Sequence, residues 1–198
     1  MMEYKNRDTT LLILDLDETL IFASEDELEH SADFQVFGYH VYKRPHLETF
    51  LREVEKDFLL AIWSSASDDY VEAIAEKIIP ENIDLEFIWG RSRCTYKRNL
   101  QIDEYGYYAD NYLSHYHYVK PLKKVKRNGY QLERILIVDD TPHKAKENFG
   151  NAIYPREFTG EMDDTELLLL ARYLKTLKDR SNLRRIEKRN WRRQIQQK

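Results

Sequence analysis

Long apolar runs are missing from this sequence, and so is most cysteine chemistry. No stretch approaches the roughly 18–20 residues that a membrane-spanning helix needs. Met1 to Thr10 is polar and charged, without the apolar core of a signal peptide. The single cysteine, Cys94, excludes an internal disulfide framework and a cysteine-rich zinc module. The compartment expected from these absences is reducing: cytoplasmic, or nuclear in a eukaryote, neither secreted nor membrane-bound. No internal repeat and no Gly/Ser/Pro linker divides the chain. What remains is 198 residues, 42% hydrophobic and 33% charged, the balance of a soluble globular domain rather than a disordered chain.

The formal net charge of -4 hides an asymmetry. Lys178 to Lys198 holds nine basic and two acidic residues, whereas the other 177 residues hold 22 basic and 33 acidic. A mildly acidic body over residues 1–178 therefore ends in a basic segment, 179–198. That segment reads as a solvated extension of the last helix, cations being favoured near a helix C-terminus. The competing reading is a contact with an anionic partner such as nucleic acid or an acidic protein.

Three short apolar runs each stop abruptly at polar groups. Thr10 to Leu14 ends at Asp15, Phe58 to Trp63 at Ser64-Ser65, and Ile135 to Val138 at Asp139-Asp140. Continuous apolar character suggests strands buried on both faces, as in a parallel sheet. Helical spacing lies between them. Leu47, Phe50, Leu51 and Val54 share one face, with Pro45 suited to the first helical position. Ser67 reads as the N-cap of a second helix, burying Tyr70, Val71, Ile74, Ile78 and Ile79. A third helix is expected from near Asp163 to Leu177, with Glu166 placed for a capping box. Alternation of strands and helices predicts a single α/β domain with a doubly wound, mainly parallel sheet. Phe34 to Tyr42 reads as a small β-hairpin turning near Gly38. Arg91 to Tyr118 holds seven of the 14 tyrosines and no clean period, and reads as a short Tyr-rich insertion (about 92–117) over the site.

In doubly wound folds ligands bind beyond the carboxyl ends of the strands, where Asp15, Ser64 and Asp139-Asp140 fall. Two carboxylates spaced by one residue, Asp15 and Asp17, can divide a phosphoryl transfer. One attacks phosphorus; the other protonates the leaving oxygen and then activates water. Such a site needs cations. Asp139 and Asp140 could hold Mg2+ with Asp15, since hard oxygen ligands suit that ion. Lys120 could neutralise further charge, and Ser64 could offer its hydroxyl and backbone N–H to a phosphate oxygen. The bland readings are an acidic turn for Asp15 and Asp17 and a helix N-cap for Asp139-Asp140. His115 and His117 could face one side of a strand, but without a third ligand in register they read as ordinary polar positions. Cys94 reads as a small buried residue.

Asp15 to Leu20, DLDETL, resembles the first motif of haloacid-dehalogenase-type phosphatases. Its Glu18-Thr19-Leu20 continuation is similar to the branch containing RNA polymerase II C-terminal-domain phosphatases and NLI-interacting-factor-like proteins. Lys43-Arg44-Pro45-His46, Trp63-Ser64-Ser65-Ala66, Tyr118-Val119-Lys120 and Ile137 to Pro142 match further motifs of that branch in order, and the likeness spans roughly Thr9 to Leu177. The resemblance implies Asp15 as nucleophile and Asp17 as general acid/base, with Lys120 completing the catalytic set. It implies Mg2+ on Asp15, the Asp17 carbonyl and the Asp139-Asp140 pair, Asp140 being the preferred direct ligand. Ser64, Ser65, Lys120 and Arg91 would hold the phosphorylated substrate. Ser64 stands where Thr is usual in the polymerase-directed enzymes, Pro121 stands where Asp is usual, and the stretch from Cys94 to Lys120 is longer. The expected substrate is phosphoserine or phosphothreonine on a protein. The alternatives are a phosphatase of small molecules or nucleic-acid ends, and a non-catalytic binding module.

Overall fold

The computed structural model describes residues 9–98 and 116–196. Most of the Tyr-rich insertion, and His115 with it, lies outside the described residues. The chain runs β1 (Thr10–Leu14), β2 (Ile21–Ser24), β3 (Phe34–Val36), β4 (Tyr39–Lys43), α1 (Leu47–Val54), β5 (Phe58–Trp63), α2 (Asp68–Ile78) and β6 (Leu85–Trp89). It continues through β7 (Thr95–Arg98), β8 (Tyr116–Val119), α3 (Lys123–Lys126), β9 (Ile135–Val138), β10 (Ala152–Ile153), α4 (Glu166–Lys175) and α5 (Trp191–Gln196).

Five strands form one parallel sheet in the order β10-β9-β1-β5-β6. Successive residues of β1 point to opposite faces, so both faces must be covered. Leu12 and Leu14 pack with α1, α2 and α4, whereas Leu11 and Ile13 pack with Trp63, Leu122, Val125 and Ala145. The chain builds outward from β1 through β5 to β6, then returns to the other side as β9 and β10. The strand order thus reverses beside β1, the point where such sheets open a crevice. Leu14 pairs with both Ile62 and Val138, which sets the residues after them at one level of the sheet.

The expected hairpin is β3 and β4, and β2 joins it in a three-stranded antiparallel sheet, β2-β4-β3. Phe37 and Gly38 both take positive φ, 50° and 87°, as a two-residue hairpin turn requires. A second antiparallel pair, β7 and β8, brackets the undescribed insertion.

Three local expectations need correction. Pro45 is not the first helical residue: α1 starts at Leu47, with His46 in the left-handed region at φ 66°. The reason is Arg44, whose buried side chain bonds the Thr19 carbonyl and Asp164, so that Arg44 to His46 form a turn instead. The third helix begins at Glu166, not near Asp163, and no capping box forms. Asp164 accepts the Glu166 N–H, while the Glu166 carboxylate accepts the Arg156 N–H and pairs with Arg192. The basic segment does not extend the last long helix into solvent. Leu183 and Trp191 lie in the main core, and Lys188 is buried with its ammonium donating to the carbonyls of Gly150, Leu183 and Ile186. Apolar side chains spaced through that segment fold it back; the charges follow.

Candidate active site

Asp15 directly follows β1, and its N–H continues the sheet by bonding the Val138 carbonyl at 2.9 Å. Its side chain is 1% exposed. One carboxylate oxygen, Oδ1, accepts the Leu16 N–H at 2.9 Å and pairs with Lys120 Nζ at 2.9 Å. The other, Oδ2, pairs with Lys144 Nζ at 3.2 Å. Burial is the largest influence and opposes the charge, but the two ammoniums outweigh it and hold the carboxyl below its ordinary range.

The chain then turns tightly. Thr19, Leu20 and Ile21 all donate backbone N–H groups to the Leu16 carbonyl, with Glu18 at φ 56°. The turn swings Asp17 round into the same pocket. Tyr70 Oη donates to Asp17 Oδ1 at 2.8 Å and Ser64 Oγ to Oδ2 at 3.2 Å. Burial, and next the Asp15 charge, push the Asp17 carboxyl up; the two hydroxyls only partly offset them. Two carboxylates two residues apart are thus driven in opposite directions, one toward an ionised base and one toward a proton donor. Glu18, half-buried at the rim, is raised to about 7 by burial and by its acidic neighbours Asp17 and Asp140.

Lys120 follows β8 and is fully buried, its Nζ 2.9 Å from Asp15 and 2.7 Å from Asp139. Burial works against its charge, yet the two carboxylates raise it. Asp139, next after β9, gives Oδ2 to Lys120 and Oδ1 to the Thr141 N–H. Burial and the Asp15 charge raise it to about 6. Asp140 is partly exposed and is tied to Thr19 and Thr141 hydroxyls. Asp15, Asp139 and Asp140 each present an oxygen within 4.8 Å of the others. Such an all-oxygen set fits Mg2+. All three carboxylates already have partners on both oxygens. Asp140 differs from Asp139 in being partly exposed, with only neutral hydroxyls on its oxygens, which favours it as the ligand an ion from solvent reaches.

The residues expected for substrate divide. Ser64 is buried at the end of β5, and its hydroxyl serves Asp17 and the Ala66 N–H. Its own N–H donates to the Trp89 carbonyl at 2.9 Å, so the expectation that this amide is offered to phosphate is corrected: β6 takes it. Ser65 is half-buried beside the pocket, its carbonyl accepting from Arg91 Nε at 2.8 Å. Arg91 is exposed at the rim, with its guanidinium 5.3 Å from the Tyr118 ring centroid. A groove of about 470 Å3 opens there between Asp17, Glu18, Phe37, Tyr39, Tyr70 and Arg91. His117 lies edge-on to His143 at 5.4 Å, and Cys94 is buried.

Sequence reasoning missed Lys144 and the polar role of Tyr70. Tyr70 reads as one more apolar residue on the buried face of α2, and its hydroxyl reaches Asp17 only because it sits in the first turn. Lys144 lies two residues beyond Pro142, outside every strand-end motif. Its proximity to the fourth motif is the one signal that pointed to it.

A family model of NLI interacting factor-like phosphatases matches residues 10–184. Nuclear envelope morphology protein 1 of Saccharomyces cerevisiae is 27% identical over 195 residues, covering 88% of this chain and 40% of that protein. The human carboxy-terminal domain RNA polymerase II polypeptide A small phosphatase 1 is 27% identical over 171 residues, covering 82% of this chain and 57% of that one. The chain spans between 28% and 40% of the length of the first three curated relatives it matches. Among solved structures, that of fission yeast Fcp1, an RNA polymerase II CTD phosphatase with beryllium fluoride bound, superposes with a TM-score of 0.53 at 14% identity. It covers 96% of this chain and 62% of that one. No helix among the described residues is long and apolar enough to cross a membrane.

Proposed function

Since the chain belongs to the NLI interacting factor-like phosphatase family, we propose that it hydrolyses phosphomonoesters through an aspartyl-phosphate on Asp15, with phosphoserine or phosphothreonine of a protein as substrate. One observation carries the reading. Asp15 and Asp17 sit at the carboxyl end of the central strand with their carboxyls pushed in opposite directions.

Ionised Asp15 attacks phosphorus, and Lys120 beside it spreads the charge that gathers on the phosphoryl oxygens. Protonated Asp17 gives its proton to the departing oxygen, which leaves as the alcohol. Asp17, now ionised and still steadied by Tyr70 and Ser64, takes a proton from water as that water attacks the aspartyl-phosphate. Inorganic phosphate leaves and both carboxyls are restored. Magnesium held by Asp15, Asp140 and the Asp17 carbonyl would supply the extra positive charge that lets a carboxylate meet a phosphate.

An open groove next to Asp17, lined by Phe37, Tyr39 and Arg91, supports a protein segment over a small metabolite. The nucleic-acid-end reading rested on a free basic tail. That support is weakened, because the segment is folded in and Lys188 and Arg192 spend their charge on internal carbonyls and on Glu166, although Arg184, Arg185 and Arg193 stay exposed.

Phosphate release from an aryl phosphate, with Mg2+ and with chelator, tests the chemistry in the wild type and in Asp15→Asn. Activity is expected to need both Asp15 and the metal. Turnover of phosphopeptides is expected to exceed that of nucleotides and sugar phosphates. A fully active Asp15→Asn protein refutes the nucleophile; faster turnover of the small metabolites refutes the substrate class.

A further inference from the structure

Asp15 carries two lysines, and the reaction as derived uses only one. Lys120 is fixed: its side chain is wholly buried and clamped between Asp15 and Asp139. Lys144 differs. It stands near the start of the 3-10 segment Pro142–Asn151, and its side chain is 15% exposed. Among the described residues its one ion pair is with Asp15 Oδ2, the oxygen that Lys120 and the Leu16 amide leave alone. Its backbone is pinned, the N–H to the Thr141 carbonyl and the carbonyl to the Lys120 N–H at 2.8 Å. The long unbranched side chain is thus the part that can move.

The ammonium also feels Asp139 and Asp140, besides Asp15, and these are the same three carboxylates whose oxygens lie within 4.8 Å of one another. A divalent ion bound there would take oxygens at roughly 2.0–2.6 Å. An ammonium 3.2 Å from Asp15 Oδ2 lies in or against that volume. At about 4 Å and an effective dielectric of about 20, repulsion between even two unit charges would weaken binding on the order of a thousandfold. A metal ion on this oxygen would push the ammonium away from it.

We propose that Lys144 is a tethered cation that alternates with the divalent metal. Its ammonium neutralises Asp15 while the metal is away and withdraws to the surface when the metal binds, so that Lys144 sets the metal affinity of the site. The proposal rests on the metal-dependent phosphatase reading above. It adds a competitor that no strand-end motif contains.

Calorimetric titration of Mg2+ into the full chain tests it in the wild type, Lys144→Gln and Lys144→Arg. Lys144→Gln is expected to bind Mg2+ about ten- to a hundredfold more tightly than the wild type. Lys144→Arg keeps the charge and is expected to stay within about threefold of the wild type. Equal or weaker binding by Lys144→Gln overturns the proposal and leaves the metal reading standing. Absence of Mg2+ binding in all three proteins removes the metal reading and the proposal together. A second measurement needs no variant. In the wild type, acylation of Lys144 by an amine-reactive reagent, read by peptide mass spectrometry against exposed Lys77, is expected to rise several-fold as Mg2+ saturates the site. Labelling that stays constant or falls while Mg2+ binds overturns the withdrawal of the ammonium.

Discussion

Replacing Arg44 with Met removes a side chain that ties the turn after Asp15 to the segment closing the domain. Arg44 is fully buried. Its Nη1 donates to the Thr19 carbonyl at 2.9 Å, and its Nε and Nη2 donate to Asp164 at 3.0 and 2.9 Å. The guanidinium also lies 5.2 Å from the Phe158 ring centroid. Arg44→Met leaves the Thr19 carbonyl without this donor, a cost of about 1–3 kcal/mol. It leaves Asp164, 14% exposed, with only the Glu166 N–H. The methionine recovers packing against Phe158, and the desolvation of a buried guanidinium is relieved. The net expected loss is about 3 kcal/mol, or roughly 6–12 °C in Tm for a domain of this size. Urea and thermal unfolding measure it. The dependence on pH gives a second handle. Burial pushes Asp164 up, but the Arg44 and Glu166 hydrogen bonds prevail and its carboxyl is lowered. A lowered carboxyl stabilises the fold above its unfolded pKa, and that contribution is lost as pH falls through the folded one. The gap between wild type and Arg44→Met is therefore expected to narrow below about pH 4. A loss under about 1 kcal/mol, or a double-mutant cycle with Asp164→Asn showing no coupling, refutes the reasoning.

Three further outcomes are expected. Tyr70→Phe takes one donor from Asp17; kcat should fall about tenfold, the worth of one such hydrogen bond. The alkaline limb of kcat/KM, where Asp17 as the proposed acid must keep its proton, should move up in pH, since the lost bond favoured the ionised form. An unchanged kcat contradicts this role. Glu18, raised to about 7, gains its charge beside the groove as pH passes that value. The KM for a dianionic phosphopeptide should therefore rise more steeply above pH 7 in the wild type than in Glu18→Gln, and superimposed profiles would rule the effect out. Lys188→Met strips the donor from the Gly150, Leu183 and Ile186 carbonyls and should cost about 2–4 kcal/mol in urea unfolding. A change within about 0.5 kcal/mol would mean that those carbonyls find water instead.

Most of the sheet and half of the site were legible in the linear sequence. An apolar run that ends in Asp or Ser states both that a strand is buried on two faces and that its end meets polar chemistry. Asp15, Ser64 and Asp139 follow directly, and the doubly wound order follows from the helices between. Asp17 and Asp140 come with them as chain neighbours. The Phe34–Tyr42 hairpin was legible because Gly38 marks a turn that few other residues can make. Misreadings arose where a side chain had two possible partners. Pro45 and Glu166 carry sound local signals for helix starts, but Arg44 is tied to Thr19 and Asp164, and the Glu166 carboxylate goes to the Arg156 N–H and Arg192 instead of a capping box. Positive charge at the C-terminal end suggested solvent, whereas Leu183 and Trp191, sparse among the arginines, decided the position of the segment.

Sequence by itself determined which strands are central, where they end and which carboxylates those ends present, because burial and chain adjacency act over a few residues. The tertiary structure alone decided the pairings that tune those carboxylates. Tyr70 meets Asp17 across 53 residues, Arg44 meets Asp164 across 120 and Lys144 meets Asp15 across 129. Ser64 has its amide claimed by β6 through the register of two strands and not through any neighbour in the chain. A lysine on the surface and a lysine against Asp15 look the same in one dimension, because electrostatic energy depends on distance in space, which only the packed sheet sets.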